Sequence, residues 1–440
     1  MAPQGTTSSP VSTPTAGEVF PDGTALELLR DPGAPEKLTL VLCREGVLDI
    51  KPQMPYANRV YTPMSIDARI AKAVRFPTRV APSESTKELF AAAYALLSGY
   101  LGQLDACTTA LAFTMFASWL SPVLPMAPIL SIFAPAGTPK NLVLQLLGIL
   151  CRRPLHLVGL RRGDLARVPM SLQPTLLLEE PDLKPAMEAI LNASSQRGAH
   201  VPDGRGVLEL FGPKIIISRK PPHGAALETD VLRAALIPVT GQLPPLDKKT
   251  EEEIADEFHS RFLAYFLRNA SSVQCPNFDV SQFSPPVQDL ARAFGAAIVG
   301  DDELQRKILP LLRVQDEEVR ADRARAGDAV VVEASLSFIH QNGWTKVRTD
   351  SIADKVGAIY KGRGSDQRPS AESVGRALKR LGIPSGRINR AGNGIELSVA
   401  TCQLIHKLAL SYGVRAMEGG LRSDCRYCRE LEPAISQAAT

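Results

Sequence analysis

The chain has 440 residues, 45% of them hydrophobic, which excludes an intrinsically disordered protein and leaves room for two to four domains with their own cores. Net charge is only +4, yet residues 341–429 hold 16 Lys and Arg against 7 Asp and Glu, about +9, so the remainder carries about −5. A basic end on a mildly acidic body points to an anionic partner there; the competing reading is ordinary solvated surface.

In chain order, Met1–Gly17 is rich in Ser, Thr and Pro and is expected to be a disordered tail with no signal-peptide character. Leu38–Ile50 has two apolar runs split by Arg44-Glu45-Gly46, which predicts a hairpin. Ser83–Trp119 has helical spacing at Leu89, Ala92, Leu96 and Leu97, with Ser83 or Ser85 as cap. The apolar run Ala106–Leu120 is too short for a membrane span, contains Thr108, Thr109, Thr114 and Ser118, and is followed by three prolines. It predicts a buried helix and no membrane partner. Scattered cysteines, odd in number, fit a reducing cytoplasm better than a disulfide framework.

Pro128–Phe133 is an apolar strand leading into the stretch Ser131–Cys151, SIFAPAGTPKNLVLQLLGILC. Strand, Gly/Pro loop, lysine and apolar helix is the layout of a phosphate-binding loop, in which N–H groups and a lysine cradle phosphates at a helix N-terminus. Against the pattern G-x-x-x-x-G-K-[ST], the eight positions Ala134–Asn141 keep only Lys140 of the four defining residues. Pro154–Leu160 and Pro174–Leu178 are further strands, and the second ends in Glu179 and Glu180. Two carboxylates at a strand end about 40 residues after such a loop match a magnesium site. Glu179 would hold Mg²⁺ and Glu180 would activate water. The competing reading is a solvated strand end.

A helix over Leu183–Ser195 precedes a strand over Phe211–Ser218, and Leu236–Val239 is one more candidate strand. Strands alternating with helices predict a parallel sheet with helices on both faces. Asp247–Gln341 is helical by pattern, with Ile254, Phe258, Phe262 and Phe266 on one stripe that reads as core.

Residues 329–413 differ. Helices are predicted over Val330–Gln341, over Thr349–Val356 with Thr349 or Asp350 as cap, and over Ser370–Leu381. Arg387–Leu397 then reads as strand, Gly-Asn-Gly turn, strand. That is a winged helix-turn-helix pattern. The third helix would present Arg376, Lys379 and Arg380 to DNA and the wing Arg387 and Arg390 to phosphates. A winged helix used for packing or protein contact is the alternative. Cys425 and Cys428 form a lone CxxC; zinc needs two more ligands, and His406 and Cys402 would join only by folding back, so no zinc is expected. His156, His200, His223 and His259 show no partner spacing.

Taken together, APILSIFAPAGTPKN, CRRPLHLVG, PTLLLEEPD, ILNASSQRG, FGPKIIIS and DQRPSAESVGRALKRLGIPSGRINRAGNGIEL resemble, in order and spacing, the primase/helicase-like P-loop ATPases of phages and integrated mobile elements. The resemblance spans about residues 85–410. It implies an α/β P-loop NTPase-like core, a parallel sheet with flanking helices, followed by a helical segment and a C-terminal winged-helix-like domain. The corresponding regions are a tail at 1–17, an N-terminal α/β region at 18–82, the core at 83–245, a helical lid at 246–328, a winged helix at 329–413 and a tail at 414–440. It also implies ATP and Mg²⁺ held by Gly137, Thr138, Lys140, Asn141 and Glu179, with Glu180 catalytic, and a DNA partner.

The departures fall on the chemistry. Pro139 has no N–H to give a phosphate, though its φ suits a helix start. Asn141 stands where a hydroxyl would ligate Mg²⁺. Where the family has an arginine to meet charge on the γ-phosphate, the nearest alignment gives Asp230, with Arg233 three residues away. The expectation is a degenerate NTPase: a DNA-associated scaffold or weak nucleotide binder, self-assembling or joined to an active ATPase. The alternatives are a slow, unconventional ATPase and a regulator acting through the winged helix alone.

Overall fold

The structure, a computed structural model, describes residues 11–203, 206–220, 231–239, 241–341, 343–389, 392–414 and 424–430. The chain divides between Arg313 and Val314 into two compact units.

The first unit begins with β1 (Val11–Thr15), β2 (Gly17–Val19), β3 (Ala25–Asp31), β4 (Ala34–Arg44), β5 (Val47–Lys51), β6 (Met54–Tyr56) and β7 (Arg59–Pro63). β2 to β5 form an antiparallel meander, while β1 lies parallel to β7 at the edge of a separate small sheet. The expected tail at 1–17 is therefore corrected from residue 11 onward. Val11–Thr15 pairs with Arg59–Pro63, and Pro14 is tolerated because an edge strand need not donate on both sides. The hairpin at Glu45-Gly46 forms as the sequence predicts. Both residues take positive φ, 51° and 80°, the backbone of a two-residue turn that matches strand twist.

Three helices follow: α1 (Ala68–Ala73), α2 (Thr86–Leu101) and α3 (Asp105–Leu120). Ser85 and Glu88 form a capping box at the start of α2, and Gly102, at φ 55°, ends it. α3 is buried almost throughout, and among the described residues no helix is long and apolar enough to cross a membrane. The order then runs β8 (Ile129–Phe133), α4 (Lys140–Leu150), β9 (Pro154–Val158), β10 (Thr175–Glu179), α5 (Pro185–Ala193), β11 (His200–Asp203), β12 (Gly206–Glu209), β13 (Lys214–Ser218) and β14 (Leu232–Ala235). The last strand sits four residues before the predicted Leu236–Val239, and Asp230 lies outside the described residues.

Among the described residues these strands build a five-stranded sheet in the order β14-β8-β13-β10-β9, every neighbouring pair parallel. Alternate side chains feed two cores. Leu130, Ile132, Leu177, Ile215 and Ile217 face the helical side, with α2, α3, α4 and the long helix α6 (Lys248–Asn269). Ile129, Leu176, Leu178 and Ile216 face the other side, where Met187 and Leu191 of α5 meet Leu26, Leu28 and Leu40 of the meander. A parallel sheet must be covered on both faces, and the strand–helix alternation in the sequence predicts helices on each. Here the N-terminal strands share the second face with one helix. The stripe on α6 is core as expected: Phe262 stacks on Trp119 with ring centroids 5.8 Å apart. The first unit is completed by α7 (Pro285–Ala296) and α8 (Asp302–Arg306), and α9 (Leu309–Arg325) carries the chain across the division.

The second unit contains α10 (Gly327–His340), β15 (Lys346–Arg348), α11 (Thr349–Gly362), α12 (Ala371–Arg380), β16 (Ser385–Asn389), β17 (Gly392–Glu396) and α13 (Val399–Ser411). Its strands pair antiparallel in the order β15-β17-β16 over a core of Val330, Val347, Ile352, Val374, Leu378 and Ile395. Ser370 caps α12 through Ser373 N–H. Two local expectations change. α11 has no side-chain cap, because Asp350 pairs with Arg348 instead. Gly392-Asn393-Gly394 belongs to β17 and is not the turn. Gly394 is needed there because a Cβ would run into the Val347 carbonyl oxygen of the neighbouring strand.

Candidate functional site

The sheet order places a site before any side chain is considered. From β8 the chain leaves toward β9 at one edge; from β13 it leaves toward β14 at the other. Adjacent strands whose connections part in opposite directions open a crevice at their carboxyl ends, the usual ligand position in open α/β sheets. The β8–α4 loop, Glu179 at the end of β10 and Glu180 just after it, and Ser218 at the end of β13 all sit at that edge.

Lys140 is the first residue of α4 and is buried. Its Nζ lies 2.8 Å from Glu179 Oε1 and 3.3 Å from Glu180 Oε1. Glu179 Oε2 is 2.9 Å from His156 Nε2. The Lys140 hydrogen bond, reinforced by His156, outweighs partial burial and holds the Glu179 carboxyl below its ordinary range. Glu180 accepts the Ser218 hydroxyl at 3.0 Å and the Arg219 N–H at 3.1 and 3.3 Å. Its φ is 46°, a left-handed backbone that costs a non-glycine residue about 1–2 kcal/mol. The kink follows a last pairing bond from Glu180 N–H to the Ile217 carbonyl. So Lys140, 40 residues upstream of Glu180, does converge with Glu179 and Glu180, and the lysine closes a network of carboxylates.

The loop itself turns inward. Pro139 stands at the N-cap with φ −78° and ψ 46°, close to an inverse γ-turn, and is not the first helical residue that its φ alone suggests. Across that turn the Lys140 N–H donates to the Thr138 carbonyl at 2.9 Å. Thr138 gives its hydroxyl and its N–H to the Pro135 carbonyl, at 2.7 and 3.3 Å. Gly137 takes φ 85° to make the bend. Pro139 thus removes one phosphate donor by its chemistry and a second, the Lys140 N–H, by its conformation. Asn141 is exposed on the first turn of α4. It lines a cleft of about 1220 Å³ together with Glu179, His156, Arg30, Arg75 and Glu251. Asn141 and Glu179, the pair expected around Mg²⁺, therefore share one cleft.

In the second unit, Arg376 and Lys379 of α12 line a groove of about 660 Å³ with Gly386 and Asn393 of the β16–β17 hairpin. Arg387 lies on β16, and Arg390 lies outside the described residues. Arg380 departs from the expectation: its guanidinium pairs with Asp328 near the start of α10. The helix and hairpin share this concave surface, which Asp350 and Glu372 also line, while Arg387 lies outside the groove on β16; Arg376, Lys379 and Arg387 lack a carboxylate partner among the described residues.

The expectation that no second pair of ligands joins Cys425 and Cys428 is corrected by the fold. His340, His406, Cys425 and Cys428 place their ligand atoms within 4.8 Å of one another. Cys402 contributes only its backbone carbonyl, which accepts from His406 Nδ1. His340 and His406 are 66 residues apart, on helices whose packing no spacing rule encodes. The CxxC was the legible half of the signal.

No protein-family model matches the chain, and no curated protein matches it. Among solved structures, the apo C-terminal region of NrS-1 aligns at 11% identity over 85% of this chain and 97% of that one, with a TM-score of 0.36. Drosophila ORC bound to DNA aligns at 13% identity over 79% and 95%, with a TM-score of 0.21. Cdc6p from Pyrobaculum aerophilum aligns at 12% identity over 69% and 93%, with a TM-score of 0.19. TM-scores this low carry no inference about what this chain does.

Proposed function

We propose that this chain is a DNA-associated protein built on a P-loop NTPase-like core whose nucleotide site no longer turns over, with its C-terminal unit acting as a winged helix. The carrying observation is the state of Lys140: its ammonium lies between Glu179 and Glu180, and its N–H is closed into the turn at Pro139. A phosphate entering the loop would have to displace two carboxylates and open that turn, in a loop that offers fewer N–H donors than a working one. Glu180, the candidate base, already accepts from Ser218, Arg219 and Lys140, so it is fixed as an acceptor and not poised over water. ATP and Mg²⁺, if taken up, bind weakly on this reading. Self-assembly, or assembly with an active ATPase, would supply what the core lacks.

The DNA arm of the proposal has its own support: Arg376 and Lys379 on a helix face a groove shared with the hairpin that carries Arg387. Titrating ATP with and without Mg²⁺, alongside a phosphate-release assay, tests the first arm. Turnover no higher than that of Lys140→Ala is expected. Turnover abolished by Lys140→Ala and by Glu180→Gln would overturn the proposal in favour of a slow ATPase. For the second arm, duplex DNA binding is measured against salt. Reversing Arg376, Lys379 and Arg387 to Glu is expected to lower the log–log slope by roughly 0.9 for each phosphate no longer neutralised. An unchanged slope and affinity would remove the winged-helix assignment.

A further inference from the structure

Two histidines and two cysteines from three separate segments meet in the second unit. His340 is the last residue of α10, His406 lies on α13, and Cys425 and Cys428 flank the start of the short helix 426–430. His340, His406 and Cys428 are buried and Cys425 is half-buried. Cys425 Sγ is 3.4 Å from His406 Nε2, and Cys428 Sγ is 3.3 Å from His340 Nε2. A tetrahedral zinc ion with bonds of about 2.3 Å to sulfur and about 2.0–2.1 Å to nitrogen holds neighbouring S and N atoms about 3.5 Å apart. The two measured edges match that tetrahedron closely.

A second observation concerns the ring orientation. His406 Nδ1 is 2.7 Å from the Cys402 carbonyl oxygen one helical turn back. A carbonyl only accepts, so Nδ1 carries the proton and Nε2 presents its lone pair toward Cys425. This is the outer-shell bond that metal-ligating histidines usually make. We propose that His340, His406, Cys425 and Cys428 form a structural Zn²⁺ site that staples segment 424–430 to α10 and α13. Binding takes one proton from each thiol. The two thiolates then balance the charge of the ion, so a neutral cluster sits in a buried place. Four protein ligands leave no open position, so the ion is structural and not catalytic.

The test uses the full chain, expressed in zinc-supplemented medium and purified with its thiols reduced. Zinc content near one per chain is expected, retained in Cys275→Ser and Cys402→Ser and lost in Cys425→Ser and His406→Asn. Because a ligand variant can simply fail to fold, the wild-type chain carries a second measurement. A strong chelator should lower the thermal midpoint of the second unit by on the order of 10 °C. Added Zn²⁺ should restore it, added Mg²⁺ should not, and Co²⁺ added to the stripped protein should give thiolate-to-cobalt charge-transfer absorption. Zinc well below one per chain, with no Co²⁺ spectrum, would overturn the proposal. So would isolation of Cys425 and Cys428 as a disulfide without metal.

Discussion

Replacing Glu27 with glutamine is expected to destabilise the first unit by about 3–5 kcal/mol, the cost of leaving buried charge uncompensated. Glu27 lies on β3 and is 2% exposed. Arg152 donates to its Oε2 through Nε at 3.0 Å and Nη2 at 2.7 Å, and Arg153 Nη2 reaches Oε1. Burial pushes the Glu27 carboxyl up, but the two guanidinium groups outweigh it and hold it below its ordinary range. Arg152 also reaches the Gln173 carbonyl, and Arg153 reaches the carbonyls of Leu172 and Ala16. Removing the one anion leaves two cations in a place that water does not enter. Urea unfolding followed by tryptophan fluorescence measures the loss, since Trp119 lies in the same unit. Replacing Glu27, Arg152 and Arg153 together by apolar residues of similar volume should cost less than the single change, because no charge is left stranded. A Glu27→Gln protein within about 1 kcal/mol of wild type would show that the cations find other partners.

Acid should weaken the same unit through His259. This residue of α6 is 1% exposed, its ring stands edge-on to Trp119 at 5.3 Å, and neither ring nitrogen has a hydrogen-bond partner among the described residues. Burial, with Arg75 adding repulsion and Asp256 opposing it, lowers its pKa to about 3. The folded value lies below the unfolded 6.5, so between the two the unfolded chain binds more protons. Stability is therefore full above 6.5 and falls as pH drops toward 3, at about 1.4 kcal/mol per unit once the unfolded imidazole is charged. Urea midpoints at pH values of about 7.5, 5.5 and 4.5, compared with those of His259→Leu, isolate the effect from carboxylate titration. The variant should lose about 2–3 kcal/mol less between pH of about 6.5 and 4.5. Parallel curves for the two proteins would mean that the ring is solvated.

The sequence disclosed what rests on local chemistry. Glu45-Gly46 had to turn, Ser370 and one of Ser83 and Ser85 had to cap, and PTLLLEE had to be a buried strand ending in acids. The convergence of Lys140 with Glu179 and Glu180 was legible because strand–loop–helix order constrains where strand ends lie. What stayed hidden depended on distant packing. Arg152 and Arg153 read as part of a strand motif, yet their guanidinium groups are spent on a carboxylate 125 and 126 residues upstream. Lys214 in FGPKIIIS is likewise turned inward: its amine donates to the carbonyls of Ser194, Leu210 and Gly212, and burial pushes its pKa down to about 7. Arg380 looked like part of a DNA-facing surface but is tied down by Asp328. That Pro139 lacks a donor is plain from its residue type; that its ψ also withdraws the Lys140 N–H is a property of the folded loop alone.

The strand order has a consequence for how the chain is made. β8 is flanked by β13 and β14, whose residues emerge from the ribosome roughly 85 and 100 positions after it. Until then the apolar row of Leu130 and Ile132 has bare hydrogen-bonding edges on both sides, and α4 has only half a sheet to lie on. Pairings this far apart in sequence are slow to close and leave edges open to other chains. A chain stalled before Leu232 is thus expected to be a chaperone client, and the first unit to gain protease resistance in one late step rather than strand by strand.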